Sequence, residues 1–471
     1  MFTRRDFLND TGGGFGAMAL ASLLQAKGGA DFTRTTNSDL NGGLHHRAKV
    51  RRVIQLFMNG GVSQMDTFDY KPELEKQHEK EVDFGLTTAV TSKPGPIMKS
   101  PFKFQQHGDC GRWVTDVLPH MAAHVDDLAF LMSMQSKTNV HGPASYMQNN
   151  GFLSGGFPAM GAWISYGLGR LTDELPAFVV LPDHRGFPYN NTGNFSSAFL
   201  PAEHGATIIK PNSPTPIANL HPPMTANYIT KESEAAGLDL LDHLNEQHLA
   251  QHPGDSRLEA RIKSFELAAR MQLSAPEALD TSTESPSTLE SYGLNKQETE
   301  HFGRNCLIAR RLVERDVRFV QVWSGMGGPS NNWDNHTNIP KELPFIAKSV
   351  DQPISALLTD LKQRGLLDDT LVVWTTEFGR MPFTQSSTGR DHNGGTFVTW
   401  LSGAGVKGGT THGASDDFAY QSAENGTYCY DLHATILHLM GIDHRRLTYP
   451  HNGIERRLTD VHGHVIEAIL A

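Results

Sequence analysis

Short apolar runs that end in glycine, asparagine or acidic residues recur along the chain. Val53-Ile54-Gln55-Leu56-Phe57-Met58 reads as a buried strand that stops at Asn59-Gly60-Gly61. Val117–Met134 mixes helical and strand-like apolar spacing, and Gly142–Trp163 places small residues, Met and Trp at helical spacing. Phe178-Val179-Val180-Leu181 is a further short strand. From Asp183 to about Thr225 the chain is rich in Pro, Asn, Gly and Ser, the composition of surface loops. Leu238–Leu273 returns to apolar residues every three or four positions, predicting a long amphipathic helix. Ser274–Ser291 is polar and rich in Pro, Ser and Thr, and reads as a linker or exposed loop.

The last third is the most regular. Asn305–Arg315 predicts a helix, Arg318–Trp323 a strand, Ile354–Arg364 an amphipathic helix and Thr370–Trp374 a strand. Strands alternating with helices predict an α/β fold whose mostly parallel sheet is sandwiched by helices. Asn59, the Asp334/His336 pair and Glu377 all fall just past the carboxyl ends of predicted strands. Open α/β sheets bind ligands at that edge, so these residues are expected to share one site.

Composition narrows the function. The 471 residues carry 41 Lys and Arg against 51 Asp and Glu, a formal charge of −10, which disfavours nucleic acid or an anionic membrane as the main partner. The three cysteines form no C-x-x-C pair, so no disulfide framework or zinc-thiolate site is indicated. The 23 histidines instead suggest metal or acid/base chemistry. At the front, Thr3-Arg4-Arg5-Asp6-Phe7-Leu8 precedes the uncharged stretch Gly12–Leu24, the form of a twin-arginine export signal over residues 1–30. That stretch falls well short of the roughly 20 residues that span a bilayer. We therefore expect export to the periplasm or beyond, with no stable membrane span once the signal is removed.

Several constellations carry candidate chemistry. Asp334-Asn335-His336 sets a carboxylate and an imidazole two residues apart, on one side of an extended loop. His392, in a turn expected over Gly389–Gly395, would complete a two-His, one-carboxylate metal set. The alternative is a polar loop whose Asp and His cap turns. Glu377 suits a metal ligand, a base or an ion pair with Arg380. Arg380 and Arg390 have the fork geometry of an oxyanion clamp, and Asn59-Gly60-Gly61-Val62-Ser63 can form an anion nest. His141 and Ser145 stand at the start of a small-residue helix, where the dipole favours an anion and where a core histidine is the competing account.

The segments FMNGGVSQMDTFDYKPEL, WDNH, TTEFGRMP, GRDHNGGTFVTWLSGAGVKGG and DLHATILHLMGI, with the twin-arginine start, resemble an uncharacterised sulfatase-like family of exported proteins in the alkaline-phosphatase superfamily. The resemblance runs from about His45 to Ala471. It implies a single alkaline-phosphatase-like α/β domain over 45–471, with an insertion at about 183–291. It also implies a divalent metal, such as zinc or calcium, and a small-molecule or glycan sulfate or phosphate ester as substrate.

By that similarity Asn59 falls at an acidic metal ligand, Asp334 and His336 at the Asp and His of one metal site, and His392 at a late metal histidine. Glu377 matches the acidic residue of a T-S-D-H-G turn, and His141 stands at the nucleophile. The chain departs from the pattern in three places. Asn59 carries no charge, Phe378 replaces a metal-binding residue, and no C-x-P-x-R or S-x-P-x-R sequence is present to form formylglycine. His141 would then attack, act as a general acid or ligate metal. Two functions follow: an exported metal-dependent hydrolase with Arg380, Arg390, Asn59 and Ser63 around its ester, or a non-catalytic glycan- or partner-binding protein built on the same fold.

Overall fold

The structure, a computed structural model, describes residues 44–86, 91–218, 230–252 and 256–471. The expected export signal lies outside the described residues. Among these, no helix is long and apolar enough to cross a membrane.

The strands of the main sheet and of the site hairpin are β1 (Arg52–Met58), β2 (Leu128–Gln135), β3 (Phe178–Leu181), β4 (Thr207–Ile208), β5 (Phe319–Ser324), β6 (Thr370–Thr375), β7 (Gly379–Gln385), β8 (Gly389–Asn393), β9 (Phe397–Gly403), β10 (Thr411–His412) and β11 (Thr427–Tyr428). A nine-stranded sheet runs β10-β2-β9-β6-β1-β5-β3-β4, with β11 also beside β2. At its centre β1 lies parallel to both neighbours, Leu56 opposite Val322 and Trp374. Only β9 runs against the rest, pairing antiparallel with β2 and β6. β7 and β8 form a separate antiparallel hairpin.

The longer helices are α1 (His141–Asn150), α2 (Met160–Leu168), α3 (Lys231–Gln251), α4 (Ser256–Leu279), α5 (Glu300–Glu314), α6 (Ile339–Gln363) and α7 (Cys429–Leu439). Alternation along β1 explains why helices cover both faces. Ile54, Leu56 and Met58 pack with Leu307 and Ile308 of α5 and Ile346 and Val350 of α6. Val53 and Phe57 point the other way, to Trp163 of α2 and Ile436 of α7. Each such side chain, fully buried, contributes roughly 1.5–3 kcal/mol. The expected α/β architecture is the one the chain adopts.

Three local expectations are corrected. The stretch from Ser274 is not a linker: α4 runs through Pro276 to Leu279, because Met271, Ala275 and Ala278 are buried in the α5 layer. Glu284 then ion-pairs with Arg310 and Arg311 of α5. The helix expected from Ile354 begins at Ile339 and passes Pro344 and Pro353, since Leu343, Ile346, Ala347 and Val350 carry the buried face onward. Packing of that face outweighs the hydrogen bonds the prolines remove. Finally, His392 stands on a strand rather than in a turn, paired across the hairpin with Arg380.

Candidate metal centre

Four segments meet beyond the carboxyl end of the central strands. The loop after β5 brings Asp334 and His336, the turn after β6 brings Glu377, the β7–β8 hairpin brings Arg380 and His392, and α1 begins at His141. The loops approach closely because Gly60, just past β1, has φ +124° and no side chain. A Cβ there would lie 2.6 Å from the backbone nitrogens of Trp333 and Asp334.

Asp334 Oδ1 is the hub. Arg380 Nη2 lies 2.6 Å from it, and the Nε2 atoms of His336, His392 and His141 lie at 2.8, 3.0 and 3.2 Å. One donor atom from each of Asp334, His141, His336 and His392 falls within 4.8 Å of the others. The remaining ring nitrogens all face oxygen. His141 Nδ1 is 2.7 Å from Glu377 Oε1, His392 Nδ1 is 2.9 Å from the Asn139 carbonyl, and His336 Nδ1 bonds Gln385 Oε1. An oxygen acceptor at Nδ1 holds the proton there and leaves Nε2 as a bare lone pair.

Three such lone pairs around one carboxylate oxygen are a donor set without a donor partner. His336 Nε2 and His392 Nε2 are only 2.7 Å apart, and His141 Nε2 is buried without a hydrogen bond of acceptable geometry. A cation at their meeting point resolves both contacts. The residues therefore fit a divalent metal, with three imidazole nitrogens and one carboxylate oxygen as ligands.

Electrostatics favour the ionised carboxylate. Burial alone would raise the Asp334 pKa, but the Arg380 charge and the three imidazoles outweigh it and hold the carboxyl far below the usual range. Burial pushes the His392 imidazole down to about 4 against the pull of Asp334. For His141 burial also works downward, yet Asp334 and Glu377 together outweigh it and raise its pKa.

The other expected residues take different positions. Glu377 stands behind the cluster rather than in it. Its Oε1 also accepts from Gly60 N at 2.8 Å, and its Oε2 from Thr376 Oγ1 at 3.1 Å. The geometry gives neither arginine the expected clamp role. The Arg380 guanidinium bonds the Gly60, Gly61 and Arg390 carbonyls besides Asp334, and is fully buried. Arg390 is equally buried and forks onto Asp66 at 2.6 and 3.1 Å. Ser63 donates to the same carboxylate at 2.5 Å. Asn59 donates Nδ2 to the Met326 carbonyl at 3.0 Å, leaving its buried Oδ1 without a partner.

Three further side chains abut the cluster, and only Phe378 stood out in the sequence, as the replacement for a metal-binding residue. Tyr189, in the Pro- and Asn-rich loop read as surface, stacks on His141 at 4.4 Å and 4°. Phe378 flanks His141 and His392 at 4.7 and 4.8 Å. Gln385 was as invisible as Tyr189, and only the alternation of a strand beyond Arg380 could have turned it toward His336.

Residues 50–470 match a family described as a protein of unknown function, DUF1501. No curated protein matches the sequence. Solved structures with a similar course include the lipoteichoic acid synthase LtaP from Listeria monocytogenes, at 9% identity and a TM-score of 0.38, covering 90% of this chain and 78% of that one. Alkaline phosphatase from the Antarctic bacterium TAB5 is similar at 11% identity and a TM-score of 0.34, covering 83% and 98%. The PsFucS1 sulfatase from Pseudoalteromonas sp. is similar at 11% identity and 0.32, covering 90% and 72%.

Proposed function

This chain belongs to the DUF1501 family, and we propose that it is an exported, metal-dependent hydrolase of sulfate or phosphate esters. The observation that carries the reading is the convergence of three oxygen-anchored histidines on Asp334. Asp334, His141, His336 and His392 would hold the ion. Three nitrogen ligands favour a zinc-like metal over calcium, which takes oxygen. When bound, such an ion polarises the ester oxygen and lowers the pKa of water.

The chain's own groups prepare the site. Glu377 holds the Nδ1 proton of His141, so that imidazole serves as a ligand rather than as the attacking atom. Arg380 balances the Asp334 charge from inside the protein. The amino end of α1 faces the cluster, and its dipole favours the oxyanion of a sulfate or phosphate group. Tyr189 and Phe378 cover the His141 ring and exclude water from its faces. The twin-arginine start supports delivery of the folded protein to the periplasm or beyond.

The test is elemental analysis of natively exported protein beside the Asp334→Ala/His336→Ala double variant. Near-stoichiometric metal in the first and none in the second, together with ester turnover lost in the variant, is the expected result. Metal absent from both would overturn the reading.

A further inference from the structure

The loop that carries Asp334 and His336 also contributes Asn331 to the lining of a cavity of about 420 Å³. The cavity opens at the same edge of the sheet, between the ends of β3 and β5 and the helices α5 and α6. Its volume falls at the lower end of the range for small-molecule sites.

Its charges are already matched. The Arg185 guanidinium bonds both oxygens of Asp183, at 2.8 and 2.7 Å. Glu298 pairs with Lys348 at 2.7 Å. Burial, the largest influence on His184, lowers its pKa and keeps the ring neutral at pH 7. A charged ligand would find no opposite charge standing free among these groups, so the chemistry favours a neutral one.

Flat apolar surface and amide edges supply the rest. His184 and His301 stack at 3.9 Å and 24°, and Phe345 on α6 is 67% exposed at the cavity wall. Gln297 and Asn331 add side-chain amides. A face of C–H groups with hydroxyls round its edge is the ligand that such walls complement, because rings cover the first and amides bond the second.

We infer that this cavity is a carbohydrate subsite that takes a neutral sugar ring of the substrate. The role within a substrate rests on the hydrolase reading above. Binding of the sugar itself does not depend on that reading.

Saturation-transfer NMR with a panel of neutral methyl glycosides tests it on the full protein, as wild type and as the Phe345→Ala and Asp334→Ala variants. Phe345 is exposed, so its truncation leaves the core intact. The expected result is binding of at least one glycoside, about tenfold weaker or more in Phe345→Ala, and retained in Asp334→Ala. No binding by any glycoside, or equal binding in Phe345→Ala, would overturn the subsite. Metal absent from the wild type as well, with glycoside binding kept, would count against the hydrolase reading and leave the subsite standing.

Discussion

Glu377 Oε1 accepts from His141 Nδ1 at 2.7 Å and from the Gly60 backbone N–H at 2.8 Å, joining the turn after β6 to the start of α1 and the end of β1. The carboxylate thus selects the tautomer of an imidazole whose other nitrogen faces Asp334. Partners of this kind typically change metal affinity or activity by about 10- to 100-fold when removed. We expect Glu377→Ala to weaken metal binding by about that factor, and Glu377→Gln, which keeps an oxygen acceptor, by less. Competition with a chromophoric chelator measures both, and equal affinity in wild type and Glu377→Ala would contradict this role.

His433 gives the fold an acid sensitivity away from the metal centre. It is fully buried on α7, bonded through Nε2 to the Gln148 carbonyl at 2.9 Å, with Nδ1 unpartnered. Burial holds its pKa down at about 4, well below the ordinary imidazole value of about 6.5. Between those values the unfolded chain binds a proton that the folded chain refuses, so stability falls as pH drops from about 6.5 toward 4. That depression corresponds to roughly 3 kcal/mol at most. His433→Gln keeps a donor for Gln148 without titrating. Urea unfolding at pH 7 and pH 4.5 should show the wild type losing about 2–3 kcal/mol more than the variant, and matching losses would refute the account.

The parts of this protein legible in its sequence are those written in adjacent residues. The run Val53–Met58 declared a central strand because both its faces are buried, and Asp334-Asn335-His336 declared a paired donor because two residues in extended chain share a side. What stayed hidden depends on pairing between residues tens to hundreds of positions apart. Arg390 carries the same guanidinium whether it meets a substrate or Asp66, 324 positions away, and only the fold decides. The stretch after Ser274 looked unstructured because its polar residues dominate the composition. Its few apolar positions, Ala275 and Ala278 among them, are the ones α5 buries. Tyr189 lies in a loop, where no periodicity exists to say that it covers His141.

Gly389 reports on the accuracy the site requires. A Cβ there would fall 1.8 Å from the His336 carbonyl oxygen and 2.5 Å from Thr337 N, contacts with backbone that no rotamer change relieves. Gly389→Ala must therefore displace either the hairpin that carries His392 or the loop that carries His336. Overpacking of this type costs about 1–3 kcal/mol. We expect a lower Tm by several degrees and metal content well below that of the wild type. Unchanged metal content in a folded Gly389→Ala protein would show that the two elements tolerate separation.

The two arginines separate internal counter-charges from substrate clamps. A clamp that touches only substrate would, on truncation, raise KM and leave unfolding unchanged. Arg390 is buried with both Asp66 oxygens on its guanidinium, and removing one partner of a buried pair costs about 3–5 kcal/mol. Arg390→Met should accordingly lower stability by that order, while the folded fraction keeps metal affinity within a few-fold, because Asp66 is outside the ligand set. Arg380→Met should also destabilise, and in addition it frees Asp334 from the charge that keeps its carboxyl ionised. Proton competition for that carboxylate then moves to higher pH, so metal loss on acid titration should begin at higher pH in Arg380→Met than in Arg390→Met. Chelator competition across pH 4 to 8 on both variants reads the difference directly, and coincident profiles would remove Arg380 from the control of Asp334.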